Sequence, residues 1–519
     1  MSQKLFYHPI LGGEDLVSPP MAVSPERCAV ALNYECDMNG RLRRVDGYER
    51  FDGRTAPSSE KDPVAREAAR SAIGPVPGHG PVRGVWSYKG DKYAIRDTAA
   101  HDKAILYKAT ASGWVEVNTP TLAGGGQWSF DTYNFLGTAG GEKMYGANGT
   151  GKAIEFDGTT LVHIDTQSTP DLPKFVKGHK LHLVISGMPD GQLHVSGLKN
   201  PTSFAVADGA SIYGVGDNIG ETITLPGGSL ALIARNSTHI LYGSSTATSD
   251  PWRIEPHSIN TGGIPYTAQY IGGMAMYLDD RGLTTLSATQ RFGNFSEGTI
   301  SKPVKPFYDA RIGKAVCSTI CREKSLYRLF FNDGCISNVS VYGGNTAWFT
   351  RSLLPVKAYC CCSVENASGV EEVFFGGEDG YVYQMDRGTS FDGRSILAKV
   401  QQHYNFLGSP RHKKRVLKVV LEVEAAQRII ISFNARYNNA YGTSVDTPNT
   451  FKISGGGGYW NESLWGEFIW FTQNIASVSA YLNGTGLSCG LSFSSNSADE
   501  TPHIIQGLTY HYIERGLQR

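Results

Sequence analysis

Through its middle the chain repeats one local pattern, a short β-prone run, a tight turn on Gly with Asp or Asn, and another β-prone run, with no helical period between. The turn chemistry recurs at Lys89-Gly90-Asp91, Asn148-Gly149, Asp157-Gly158, Asp190-Gly191, Asp280-Arg281-Gly282, Asn332-Asp333-Gly334 and Asp379-Gly380. Strand-rich blocks begin near Gly84, Trp128, Gly178, Ile219, Gly263, Lys314 and Lys357. Their spacing of roughly 40–50 residues is the length of one four-stranded propeller blade. The pattern predicts an all-β protein: a divergent β-propeller of six or seven blades over residues 75–395, followed by a C-terminal β-sandwich over residues 396–519. A set of β-sandwiches uses the same short strands and turns and is the competing architecture. The blocks carry no WD dipeptide and no sialidase-type S-x-D-x-G-x-x-W box, and Gly pairs such as Gly343-Gly344 and Gly376-Gly377 keep no kelch-like period.

Composition agrees with this. A chain of 519 residues exceeds what one core serves unless repeats spread the core along it. With 61 Gly, 26 Tyr, 22 Phe and 8 Trp against only 18% charged residues, it reads as an aromatic, turn-rich, all-β chain. Lys plus Arg and Asp plus Glu both total 48, so no overall field draws it to nucleic acid or an acidic membrane, and any DNA contact is local. The nine cysteines, three of them consecutive, make no disulfide framework. The start MSQKLFYHPILGGEDL has neither a charged leader nor a long apolar run, and no window resembles a membrane span. Synthesis in a reducing cytoplasm is the expectation.

Two flanks differ from the repeat. Residues 1–74 read as an N-terminal extended segment and linker, with a polar, Ala- and Pro-rich loop or short helix over residues 55–77. Beyond residue 393, runs at 399–406, 416–424, 428–433, 468–471, 478–483, 487–493 and 508–513 alternate apolar and polar positions as sandwich strands do. Between them SGGGGYW, with Gly455, Gly456, Gly457, Gly458 and Tyr459, suits a mobile loop and is a candidate channel gate.

Candidate chemistry is sparse. Glu378, Asp379, Asp386 and Asp392 crowd residues 375–393, where an acid and a base for glycoside hydrolysis could meet. Turn positions explain each Asp more simply: it accepts local backbone N–H bonds and stays in water. Residues 146–152, GANGTGK, fit a phosphate loop until Ala153 stands where Ser or Thr would hold magnesium, and a strand follows where a helix is needed. Cys317 and Cys321 lack a second ligand pair, and Cys360, Cys361 and Cys362 alternate across a strand. No catalytic residue, metal or cofactor is expected. Arg411, His412, Lys413, Lys414 and Arg415 form the strongest local candidate for a DNA-channel or subunit contact, with a solvated loop as the plainer reading.

Several segments together resemble the tail nozzle proteins of short-tailed bacteriophages, also called tail tubular protein B, tail hub or DNA-stabilisation proteins. They are residues 39–53 (NGRLRRVDGYERFDG), 264–283 (IPYTAQYIGGMAMYLDDRGL), 326–334 (LYRLFFNDG), 375–393 (FGGEDGYVYQMDRGTSFDG) and 408–415 (GSPRHKKR). The resemblance implies a structural virion protein of the tail, without enzyme activity. It implies a homohexameric ring below the portal and tail adaptor protein that carries tail fibre or spike proteins, retains packaged DNA and lets double-stranded DNA pass transiently at ejection. A receptor-binding tail fibre or spike component, or a capsule-degrading glycoside hydrolase, are the alternatives.

Overall fold

The computed structural model describes residues 3–19, 22–246, 251–288, 295–342, 346–366, 368–439, 442–445, 449–453 and 475–517. Their strands form the expected all-β fold, a propeller joined to a β-sandwich, and the pairing resolves the blade number to seven. The innermost strands run from His79–Tyr88 through Ser129–Tyr133, Phe175–His179, Ile219–Thr224, Gln269–Ile271 and Ala315–Cys321 to Ala358–Glu365, each beside the next around a ring. Each starts an antiparallel meander, so every blade is local in sequence except the last. That blade takes Ala358–Glu365, Glu371–Gly377 and Val382–Met385 from its own block and its outer strand, Tyr48–Phe51, from near the N-terminus.

The turns use the expected chemistry. Asn148 Oδ1 accepts the N–H groups of Thr150 and Gly151 (both 3.1 Å), and Asp157 Oδ1 accepts those of Thr159 and Thr160 (2.8 and 2.7 Å). Residues 146–152 are therefore a hairpin and no phosphate loop. Between neighbouring blades lie separate apolar clusters. Tyr88, Ile95, Ile154 and Phe156 join the first blade to the second, and Val82, Tyr107, Cys360 and Phe374 join the seventh back to the first. Burying one such large side chain stabilises by about 1.5–3 kcal/mol. The blades approach so closely that a Cβ at Gly178 would lie 2.3 Å from the Tyr133 ring.

The sandwich has two sheets around one core that includes Val419, Val423, Phe433, Phe493 and Tyr510. One sheet pairs His412–Ala425 with Ile475–Gly486 and His503–Leu517; the other pairs Ser488–Ser497 with Ile396–Gln402 on one side and Ile429–Asn439 on the other. The N-terminal residues, expected as an extended segment and linker, are built into both bodies. Lys4–Pro9 lies along His503–Leu517, with Phe6 opposite Tyr510. Tyr34–Cys36 and Leu42–Arg44 extend the same sheet. Cys28–Leu32 fills the gap between Ile396–Gln402 and Thr346–Leu353, the outer strand of the sixth blade, so one ten-stranded sheet runs from propeller into sandwich. In the linker, Pro63–Ala72 forms a helix whose N-cap Asp62 accepts from Ala65 N (3.0 Å). The expected strand at 468–471 and the glycine loop, including Gly455, Gly456, Gly457, Gly458 and Tyr459, lie outside the described residues.

Candidate functional site

Three places gather charge: the joint between the two bodies, the start of the sandwich strand His412–Ala425, and the axis of the propeller.

At the joint, Arg328 stands in Leu326–Phe331, an otherwise apolar strand of the sixth blade, and its side chain is 3% exposed. A charge so placed is tolerable only when paired. Its guanidinium donates twice to Asp386 (2.5 and 2.7 Å) and once to Glu35 (3.3 Å). Lys324 Nζ reaches Glu35 (2.8 Å), Asp46 (2.7 Å) and Asp386 (2.7 Å), and Arg43 bonds Glu35 and Asp46 (both 2.8 Å). Three cations and three carboxylates thus close a neutral network across the sixth blade, the seventh blade and the N-terminal strands of the sandwich. Burial opposes ionisation of Asp386, but Arg328 and Lys324 outweigh it and hold its carboxyl far below the usual range.

Asp386 therefore departs from the water-exposed turn carboxylate expected of it. It does sit at a turn, with φ of 57°, a conformation that Asp tolerates better than most residues. Its partners, however, lie on other elements. The neighbouring carboxylates are engaged separately. Asp392 pairs with Arg50 (2.9 Å), Asp379 accepts from the Tyr383 hydroxyl (2.6 Å), and exposed Glu378 lies 3.5 Å from Lys357. The acid and base of a glycosidase need two carboxyl groups facing one substrate space, and here each is spent on a different protein partner.

The basic run Arg411, His412, Lys413, Lys414, Arg415 opens the strand His412–Ala425. A strand sends successive side chains to opposite faces, so the run cannot present one continuous positive surface. Lys414 points inward, 1% exposed, and its ammonium donates to the carbonyls of Ser409 and Leu487 (3.0 Å to the latter). Burial lowers its pKa to about 8. Arg411 is exposed; Lys413 and Arg415 are half-buried, and Arg415 donates to Asn483 Oδ1 (3.0 Å). Of the five candidates, the structure leaves Arg411, Lys413 and Arg415 as the cations able to meet an outside anion.

Along the propeller axis lies a cavity of about 650 Å³ to which every blade contributes: Trp86, Asp131, Lys177, Glu221, Tyr270, Ile320 and Ser363. One end is bridged. The Tyr266 hydroxyl, from the fifth blade, donates to the Gln127 carbonyl before the second blade (3.0 Å), and Gln127 Nε2 donates to Val316 O in the sixth (3.3 Å). These blades are not neighbours, so the bonds cross the axis. Tyr266 adopts φ of 62°, unusual for an aromatic residue. Glu221 holds that turn: its Oε2 accepts from Ala268 N (3.0 Å), and the N–H groups of Thr267 and Tyr266 also bond it. Burial raises the Glu221 carboxyl to about 8, against the opposing pull of those N–H donors and of Lys177. Sequence reading passed over Glu221, although a carboxylate inside the β-prone run IGETITL was a signal. Among the described residues, no group of three or more His, Cys, Asp or Glu is placed to hold a metal ion.

No protein-family model matches the chain, and no curated protein matches it. Among solved structures, the virginiamycin B lyase of Staphylococcus aureus is similar at 9% identity and TM-score 0.41, over 59% of this chain and 94% of that one. BamB from Moraxella catarrhalis is similar at 10% identity and TM-score 0.36, over 59% and 82%. YCF48, solved bound to D1 peptide, is similar at 11% identity and TM-score 0.38, over 60% and 95%. All three are β-propeller proteins, and propellers serve enzymes and non-enzymes alike. The seven blades rest on the strand pairing itself.

Proposed function

We propose that this protein is a structural component of a virion, the tail nozzle of a short-tailed bacteriophage. Six copies form a ring below the portal and adaptor, retain packaged DNA, and let it pass into the host. The observation that carries the reading is where the nozzle-like segments meet. Residues 39–53 supply Arg43 and Asp46, residues 326–334 supply Arg328, and residues 375–393 supply Asp386. Segments hundreds of residues apart thus converge on the joint, where their charged side chains lock two bodies together. Such investment suits a rigid building block of an assembly. Net neutrality fits as well, since a conduit must release the DNA it contacts.

In this reading DNA runs along the ring axis between subunits, because the cavity inside each propeller is bridged by Tyr266. Arg411, Lys413 and Arg415 are the candidate phosphate or subunit contacts, and Lys414 is excluded. Electron microscopy of the purified full chain, together with mass spectrometry of virions, tests the proposal. Six-fold rings and a virion-borne protein are expected, and a monomer absent from particles overturns it.

A further inference from the structure

We propose that the axial cavity of the propeller is a binding site for a small organic ammonium ion, with the Glu221 carboxylate as its counter-ion and Trp86 and Tyr270 as aromatic flanks. The inference goes beyond the nozzle reading and stands independently of it.

Charge balance within the cavity points this way. It holds three charged side chains. Lys177 Nζ lies 3.1 Å from Asp131 Oδ1, and Asp131 Oδ2 takes the N–H of Gly178 (2.8 Å), so these two neutralise one another. Glu221 accepts only backbone N–H groups, and among the described residues no cation lies within ion-pair distance of it. Once Glu221 is ionised the cavity therefore offers it no counter-ion, and a positive charge brought to that half-enclosed carboxyl gains most. Trp86 and Tyr270 line the same space and are half-buried. Aromatic side chains sharing a cavity with a carboxylate favour an alkylammonium over a hydrated metal ion, through cation–π attraction and burial of its methylenes. A volume of about 650 Å³ is in the range of small-molecule sites. The mouth lies where Thr224 and Pro226 are exposed.

Binding is coupled to a proton. With its carboxyl raised to about 8, Glu221 is mostly protonated at neutral pH and gives up that proton when an ammonium docks. Burial raises the Tyr266, Tyr327 and Tyr270 hydroxyls and the Cys361 thiol, and Lys177 stays paired with Asp131.

The experiment is calorimetric titration of the full chain with n-butylammonium, with n-butanol as the uncharged control, in phosphate and in HEPES. The amine should bind where the alcohol does not, roughly tenfold more tightly at pH 7 than at pH 6, with release of about one proton at neutral pH. E221Q keeps a side-chain oxygen for the Ala268 N–H but loses the charge, and should weaken amine binding at least tenfold. Absence of binding, equal binding of n-butanol, or undiminished binding by a folded E221Q overturns the proposal. Should E221Q fail to fold, the alcohol control and the proton count on the native chain decide the matter.

Discussion

The propeller and the sandwich solve the same problem with opposite economies of sequence. Each of the first six blades is a meander of neighbouring strands, and each inter-blade core needs only the next block along the chain. The sandwich pairs chain ends, with Lys4–Pro9 opposite His503–Leu517, and its long strands, such as His412–Ala425, carry one undivided core. The seventh blade sits between these styles, three strands local and one borrowed. Local repetition makes most of the propeller tolerant of piecemeal change, whereas the sandwich and the ring closure both depend on the first 51 residues.

Removing residues 1–51 is therefore the harshest test of the contrast. It strips strands from the sandwich and the outer strand from the seventh blade together, and should abolish cooperative unfolding of the full chain in a thermal melt. A well-folded propeller surviving that deletion would show the blades to be independent of their closing strand. Next in size, Asp386→Ala leaves Arg328 and Lys324 with too little negative charge at the joint and should cost about 3–5 kcal/mol by denaturant titration. It should also split one transition into two, if the network is what couples the bodies.

Acid gives a finer comparison. His503 and His8 in the sandwich and His179 in the propeller are buried, and burial lowers their pKa to about 3, 4 and 4. Unfolded histidine titrates near 6.5, so the unfolded chain takes up protons that the folded chain refuses. Stability is then full above pH 6.5 and falls as pH drops toward 4, by about 1.4 kcal/mol per pH unit for each histidine. In the Asp386→Ala background, where the two bodies unfold separately, His503→Gln should flatten the slope of the sandwich by one such increment and leave that of the propeller unchanged, as read by denaturant titrations at pH 7 and pH 5.

Legibility in the sequence followed the same divide. Blade blocks and their Asp and Asn turns were readable because strand, turn and strand lie within a few residues of one another. The borrowed strands were not, since Tyr48–Phe51 and Cys28–Leu32 differ in no local way from linker, and their partners lie hundreds of residues away. Asp386 misled for a related reason. Asp-Arg-Gly is turn chemistry, and its second duty to Arg328 and Lys324 leaves no mark nearby. A signal did exist at the other end: Arg328 within LYRLFF demands a buried counter-charge. Lys414 likewise looked like one more cation in a basic run, and only the parity of the strand turns it inward.

The borrowed strand of the seventh blade also sets a schedule. Phe51 leaves the ribosome early, but its partner Val382 follows 331 residues later (382 − 51). At about 5–20 residues per second the wait is on the order of tens of seconds. Throughout that interval the nascent chain carries an unpaired β-edge, open to other growing copies of itself. The same strand that closes the ring in the finished protein is thus the one most open to pairing between chains before it is finished.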